Sequence, residues 1–151
     1  MIRKILAGLV VAAALAWSAD DPFAGLWRLN LAKSNLPPPL PRSQTVRIEV
    51  EGGTIRMRED IVNERGEHLI ITLEAGFDGR DYPIYGTSHA DTVAYERVDE
   101  RTLRSTIKKS GRVVMKETIF VSVDGRTVTG TYSGTDASGR IVTASAVFDR
   151  Q

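Results

Sequence analysis

Three charged residues interrupt apolar stretches of this sequence and are the first candidates for binding chemistry. Glu59 lies between Met57 and Ile61, and Glu117 and Arg97 also alternate with apolar or aromatic residues. Alternate residues of a strand face the same side, so these charges should point where their apolar neighbours point. A charge held inside a protein is costly unless it is paired. We expect Arg97 and Glu117 to orient the polar end of a ligand, unless they pair with each other, lie at a wet rim or belong to a strand whose parity is broken.

Motifs for catalysis and metal binding are scarce. The two histidines are His68, beside a turn, and His89, and the sequence has no His-x-x-x-His, no Gly-x-Ser-x-Gly and no phosphate-binding loop. His89 and Asp91 together would bind a metal only weakly, because a zinc site takes three or four ligands. We therefore expect no metal, no cofactor and no catalytic residue.

The composition favours one ordinary domain without an electrostatic partner. The chain has 151 residues, with 20 Lys and Arg against 19 Asp and Glu, and its basic residues are scattered. Nucleic-acid-binding surfaces cluster their basic residues, so we expect no nucleic-acid partner. Cysteine is absent, which excludes disulfides, thiolate catalysis and a lipid-modified cysteine. Packing and strand pairing must therefore hold the fold.

The first 19 residues have the layout of a secretory signal peptide. Arg3 and Lys4 form a basic segment, residues 5–16 are uncharged and apolar, and small residues follow. The apolar stretch is shorter than the roughly 20 residues that a membrane helix needs. We expect no membrane span, a protein exported to the periplasm or secreted, and a single domain over residues 20–151.

The rest of the chain alternates as strands do. Val46, Ile48 and Val50 share one face while polar residues occupy the other, and Gly, Asp and Asn cluster at fairly even intervals, where tight hairpin turns need them. No long helical period occurs after residue 20. The pattern predicts ten strands: Phe23 to Leu29, Ser43 to Val50, Ile55 to Ile61, Leu69 to Ala75, Arg80 to Tyr85, Thr92 to Val98, Thr102 to Lys108, Arg112 to Val121, Arg126 to Ser133 and Arg140 to Asp149.

Short links between these strands allow only antiparallel neighbours, so an up-and-down meander is the simplest topology. An open sheet of ten strands would leave two exposed edges, and closure removes them. We therefore predict an all-β protein, an antiparallel closed barrel of about ten strands, with eight strands as a variant and a β-sandwich as the alternative fold. Eight strands just fill their interior, so ten should leave a cavity.

Both ends of the chain resemble a known group of barrels. Gly25 and Trp27 have the Gly-x-Trp spacing of the lipocalins, and Phe23 to Leu29 is similar to the Phe-x-Gly-x-Trp-x-Leu opening of the fatty-acid-binding proteins; residues 147–150 resemble the closing strand of the latter. These are calycin barrels, and the resemblance is to an exported bacterial member. It implies that Gly25 bends the backbone at the barrel floor, that Trp27 plugs the closed end and that the last strand pairs with the first.

Two departures from that group limit what the resemblance implies. Fatty-acid-binding proteins clamp a carboxylate with an Arg-x-Tyr pair on the last strand, and the matching residues here are Ala146 and Phe148. They also place a helical lid between their first two strands, where this chain has prolines within residues 37–41. We expect a barrel without a helical lid and without that carboxylate clamp.

The function we expect is non-catalytic binding or transport of a small hydrophobic ligand in the lumen of a monomeric barrel. Two alternatives remain open: a structural or protein-interaction barrel with a filled core, and a barrel-chamber enzyme with Glu59 or Glu117 as its acid or base. Ser105 is a further hydrogen-bonding candidate. The predicted ligand-binding residues are Trp27, Met57, Ile71, Tyr95, Arg97, Met115, Glu117, Tyr132 and Phe148.

Overall fold

The computed structural model describes residues 20–136 and 138–151, so the predicted signal peptide lies outside the described residues. Each alternating stretch of the sequence forms a strand. The ten strands are β1 (Gly25–Leu29), β2 (Ser43–Glu51), β3 (Thr54–Val62), β4 (His68–Gly76), β5 (Tyr82–Tyr85), β6 (Thr92–Asp99), β7 (Thr102–Lys109), β8 (Arg112–Val121), β9 (Thr127–Thr135) and β10 (Ile141–Arg150).

The strands close into one antiparallel barrel. Each strand pairs with its neighbours in the sequence, and β1 completes the ring by pairing with β10, with Trp27 opposite Arg150 and Leu29 opposite Phe148. The all-β, closed ten-stranded prediction is confirmed, and the sandwich and the eight-stranded variant are not observed. No helix in the described residues is long and apolar enough to cross a membrane.

Alternation along the strands fills the lower part of the barrel with apolar side chains. On β2, Val46 and Ile48 are buried while Arg47 and Glu49 are exposed. The same period of two recurs around the ring because each side chain faces opposite to the one before it. The buried apolar core consists of Phe23, Trp27, Val46, Ile48, Ile55, Leu73, Ala75, Val93, Tyr95, Leu103, Val121, Val128, Ala146 and Phe148.

The floor of the barrel is closed by Trp27 and the residues before it. Trp27 is 1% exposed, and its indole Nε1 donates a hydrogen bond of 2.9 Å to the carbonyl of Phe23. The guanidinium of Arg150 stacks 4.0 Å from the centre of the Trp27 rings. Gly25 has a φ of +142°, and a Cβ there would lie 2.4 Å from Arg150 Nη1. A side chain is strained at this φ, and its Cβ would displace the Arg150 guanidinium that covers Trp27, so the Gly-x-Trp spacing serves the floor.

The connector between β1 and β2 runs along the opposite, open end. It holds one 3-10 helix, Leu31–Lys33, and no α-helix, as the proline run predicts. Asn35 then makes two backbone hydrogen bonds to Ser145 of β10, of 2.8 and 2.9 Å. The connector is thus fastened to the barrel wall, and Leu36 faces the lumen.

The β5 strand is the shortest part of the wall. It begins at Tyr82 rather than at Arg80, because the carboxylate of Asp78 accepts hydrogen bonds from the Arg80 amide (3.1 Å) and the Tyr82 hydroxyl (2.8 Å), which holds residues 78–80 in a turn. Two residue pairs join β5 to each neighbour. After β5 the chain passes close to β4, and a Cβ at Gly86 would lie 1.8 Å from the carbonyl oxygen of Ile70.

Candidate functional site

The barrel encloses a cavity of about 600 Å³ that is open at the end where β2, β4, β6, β8 and β10 begin. Below a polar rim of Thr87, His89, Thr135 and Asp136 its wall is apolar, and its base carries a small number of polar side chains. Ten strands therefore leave an interior that is not filled by side chains. The apolar lining residues include Leu36, Met57, Ile71, Leu73, Ile84, Val93, Ile107, Val114, Met115, Val142, Ala144 and Ala146.

At the base of this cavity, four neighbouring strands each turn one polar side chain inward. Tyr95 of β6 is the register partner of Ser105 on β7. Ser105 lies opposite Glu117 of β8, and Glu117 lies opposite Tyr132 of β9. Register partners on one face sit side by side, so the four side chains are neighbours along the wall. Tyr95, Glu117 and Tyr132 line the cavity base, and Ser105 is buried beside Glu117. The Ser105 hydroxyl donates a hydrogen bond to the Glu117 carboxylate.

Glu59 of β3 faces this group from across the lumen. Its strand lies diametrically opposite β8 in the closed ring. Its carboxylate accepts a hydrogen bond of 3.4 Å from Gln44 Nε2 on β2. Glu59 and Glu117 both line the cavity base. We call the five inward side chains at this depth the polar layer: Glu59, Tyr95, Ser105, Glu117 and Tyr132.

Burial raises the pKa of both carboxyls. The pKa of Glu59 rises from an ordinary 4.5 to about 7, first because the group is removed from bulk water and second because the charge of Glu117 lies nearby; the Gln44 hydrogen bond opposes the rise. Burial also raises the pKa of Glu117, against the effect of the Ser105 hydroxyl. Both groups retain free acceptor positions, because each accepts one side-chain hydrogen bond within the described structure.

The two tyrosines of the polar layer remain protonated at physiological pH. Burial, and after it the charges of Glu117 and Glu59, raise the phenol pKa of Tyr95 and of Tyr132. A protonated phenol can both donate and accept a hydrogen bond, so both hydroxyls offer a ligand these two functions beside the carboxyls.

No basic side chain neutralises the layer from the cavity wall. None of the described residues lining the cavity is Lys or Arg. A buried carboxylate ordinarily pairs with a cation or takes up a proton. The base of this cavity therefore presents two acidic groups and two phenols beneath an apolar chamber, and a third acidic residue, Asp136, lies at the mouth.

A second, smaller cavity of about 70 Å³ lies between the polar layer and the floor. Trp27 and Phe148, both predicted as ligand-binding residues, line this lower space and not the main cavity. Met57, Glu59, Tyr95, Glu117 and Tyr132 line both spaces. They separate the main cavity from the floor.

Arg97 lies away from the predicted position. Arg97 lies two residues after Tyr95 on the same face of β6, which places it nearer the floor, and it lines neither cavity. Its guanidinium forms an ion pair of 2.5 Å with Asp21, with the two side chains 26% and 20% exposed. It also stacks over the rings of Phe23 and Phe77, at 5.4 and 4.7 Å. We therefore omit Arg97 from the candidate site.

The other predicted residues come together at the main cavity. Met57, Ile71 and Met115 lie on its apolar wall, and Tyr95, Glu117 and Tyr132 lie in the polar layer. The list of predicted ligand-binding residues lacks Glu59, although alternation turns it inward and makes it a candidate acid or base, and it lacks Gln44, which shares the inward parity of Val46. Their position opposite Glu117 depends on the closure of the barrel, which no local pattern contains.

The histidine in the loop after β5 lies at the mouth. His89 is exposed and lines the cavity rim. The nearby carboxylate of Asp91 instead accepts hydrogen bonds from Lys109 Nζ (2.8 Å) and the Ser110 amide (2.6 Å). Within residues 20–136 and 138–151, no three His, Asp or Glu side chains are placed to hold a metal ion.

A closed ten-stranded antiparallel barrel with its floor plugged by the first strand is a calycin-like fold. Among solved structures, the chain is similar to the S-type phycobiliprotein lyase CPES from Guillardia theta, with a TM-score of 0.51 and 14% identity over 86% of this chain and 89% of that one. At this identity the likeness concerns the fold. The sequence matches no protein-family model and no curated protein.

Proposed function

We propose that this protein binds a small hydrophobic ligand in the barrel lumen, without catalysing a reaction on it. The observation that carries the proposal is the open cavity of about 600 Å³ with its apolar wall. Small-molecule sites commonly measure about 300 to 1,000 Å³ and combine apolar walls with a few placed polar groups. This cavity has that size and that lining.

The closed floor favours a container for a ligand rather than a channel that is open at both ends. Trp27, Phe23 and Arg150 block the lower end, so a ligand must enter and leave by the mouth. The similar barrel of the phycobiliprotein lyase is compatible with a chamber for a small molecule. In keeping with the expected signal peptide, we propose that the chain works as an exported monomeric carrier.

Binding can be tested with an apolar fluorescent probe and a pair of matched variants. Ala144 lines the cavity, while the preceding residue, Thr143, is exposed on the outer face of β10. Ala144→Phe should fill part of the cavity and weaken probe binding by about tenfold or more, equivalent to about 1.4 kcal/mol. Thr143→Phe adds a similar ring outside and should leave binding unchanged. Absence of probe binding to the wild type, or equal effects of the two variants, would refute a lumen site.

A barrel-chamber enzyme is the second candidate, favoured by Glu59. A carboxyl with a pKa of about 7 in a cavity is suited to general acid–base chemistry near neutral pH. Carrier and enzyme differ in the fate of the bound molecule. Native mass spectrometry of the purified protein identifies a co-purified ligand, and incubation with that compound followed by mass analysis shows whether it is recovered unchanged, as the carrier requires.

A further inference from the structure

The polar layer is an uncompensated acidic site at the base of an apolar chamber. Glu59 and Glu117 approach from opposite sides of the ring, and each has one hydrogen bond, from Gln44 and Ser105 respectively. The only described basic side chain that lines the cavity is His89, exposed at the mouth. Such a site is costly for the empty protein, and a ligand of suitable charge removes that cost.

We propose that the ligand is an amphiphile with a protonated amine or similar nitrogen cation, which Glu59 and Glu117 hold at the cavity base while its apolar part lies along the upper wall. The proposal rests on the lumen binding proposed above and names the chemical class that the lumen selects. The apolar wall above the layer, including Ile71, Ile107 and Met115, suits a hydrocarbon portion.

A cationic headgroup gains more binding free energy at the polar layer than a neutral headgroup does. Both carboxyls are half-buried at the base of the lumen, so part of their desolvation is already present in the empty barrel and is not an added cost of binding. Hydrogen bonds between ionised partners are roughly twice as strong as neutral ones. A protonated amine supplies three donors, which matches the free acceptor positions of Glu59 and Glu117 and the two phenol oxygens.

An anionic headgroup is disfavoured at the same place. It would add a further negative charge beside two carboxyls in a region of low dielectric, where like charges raise each other's energy. Ala146 and Phe148 replace the Arg-x-Tyr pair that the fatty-acid-binding proteins carry on their last strand, and Arg97 is paired with Asp21 at the floor. Among the described residues, no basic side chain at the cavity base thus compensates a fatty-acid carboxylate.

Three ligands of equal chain length test the proposal. Dodecylamine, dodecanol and dodecanoic acid displace an apolar fluorescent probe from the purified wild type, each below its micelle-forming concentration. We expect the amine to bind about tenfold or more tightly than the alcohol, from the added strength of a charged hydrogen bond, and the acid to bind most weakly. An acid or alcohol that binds the wild type as tightly as the amine would overturn the proposal without any variant.

Variants then assign the preference to the two carboxyls. Glu59→Gln with Glu117→Gln keeps the side-chain shapes and removes the charges, and should abolish the advantage of the amine over the alcohol. Glu49→Gln, on the exposed outer face of β2, is the matched control and should leave the order unchanged. An amine preference that survives in the double variant, with its fold verified by circular dichroism, also overturns the proposal.

Proton release gives a readout that a purely structural pair of carboxyls would not show. Near neutral pH the amine should ionise Glu59 and release a proton, seen as a dependence of the calorimetric binding enthalpy on the buffer, whereas the alcohol should not.

If none of the three compounds binds, the lumen function fails and the ligand class fails with it. If the alcohol binds but the amine has no advantage and releases no proton, only the ligand class fails. Gln44, Tyr95 and Tyr132 line the cavity together with the two carboxyls, Ser105 donates to Glu117, and Ile71 is the register partner of Glu59. The other titratable groups that line the cavity, His89 and Asp136, lie at its mouth.

Discussion

Glu59→Gln should make the protein more stable at neutral and alkaline pH. The pKa of Glu59 is about 7 in the fold and 4.5 as an ordinary carboxyl, so the folded state holds its proton more tightly than the unfolded state. The contribution of Glu59 to the free energy of unfolding is therefore fully present below about pH 4.5 and is lost as the pH rises through about 7. Above that pH the folded state must bury a charged carboxylate. Glutamine has no such charge, and its variant should not show this loss.

The magnitude follows from the difference between the two pKa values. Each pKa unit corresponds to about 1.4 kcal/mol, so the ionised Glu59 costs up to about 3 kcal/mol above neutral pH. Part of this cost is already present at about pH 5, where unfolded Glu59 is ionised, so the free energy of unfolding should fall by about 2 kcal/mol between about pH 5 and pH 8 relative to the variant.

Urea unfolding of the wild type, Glu59→Gln and Glu49→Gln across this pH range measures the effect. With a urea dependence of about 1 to 3 kcal/mol per molar, the midpoint of Glu59→Gln should exceed that of the wild type by about 1 M near pH 8. Glu49→Gln, on the outer surface, should follow the wild type. A difference between wild type and Glu59→Gln that is constant with pH, or a variant that is less stable at pH 8, would refute a raised pKa at Glu59.

Three further outcomes test other parts of the structure. Trp27→Ala should cost about 3 to 5 kcal/mol by urea unfolding while leaving relative ligand affinities unchanged, because Trp27 plugs the floor below the polar layer; a loss under about 1 kcal/mol would mean that it does not. Gly86→Ala should lower the unfolding midpoint, because its Cβ would collide with the Ile70 carbonyl, and an unchanged midpoint would contradict that close approach. Neutral dodecanol should displace the probe from the wild type at least as well as dodecanoic acid does. Ala146→Arg with Phe148→Tyr should reverse this order, because the new arginine supplies a cation for the acid. An order that stays the same in the double variant would show that charge in the lumen has no part in selection.

Most of the fold is predictable because a barrel repeats one local rule. Alternation marks each strand, and Gly or Asp marks each turn, as at Asp124 and Gly125. The pattern misplaced the starts of β1 and β5 by two residues each, predicting Phe23 and Arg80 where the strands begin at Gly25 and Tyr82. Hydrogen bonds to Asp21 and to Asp78 hold a turn before each strand, and alternation does not register them. The signal peptide and the exported location stay predictions.

The sequence predicts which side chains of the candidate site point into the barrel, but it does not predict how far along the barrel axis each of them lies. Alternation along the strands predicts that Glu117 and Tyr95 point to the interior, as they do, and it predicts the same side of the sheet for Arg97. Parity does not state how far down the barrel a side chain lies, and one step along β6 separates the cavity base from the floor. The approach of Glu59 to Glu117 depends on ring closure between distant parts of the chain, which is a tertiary property.

The position of Arg97 explains how the lumen keeps its acidic character. A cation two residues from Tyr95 could neutralise Glu117 and remove any preference for a cationic ligand. Asp21, just before the first strand, instead pairs with Arg97, and the rings of Phe23 and Phe77 cover the guanidinium. The floor thereby holds the guanidinium with its own carboxylate and aromatic rings, and Arg97 does not pair with the carboxyls of the polar layer.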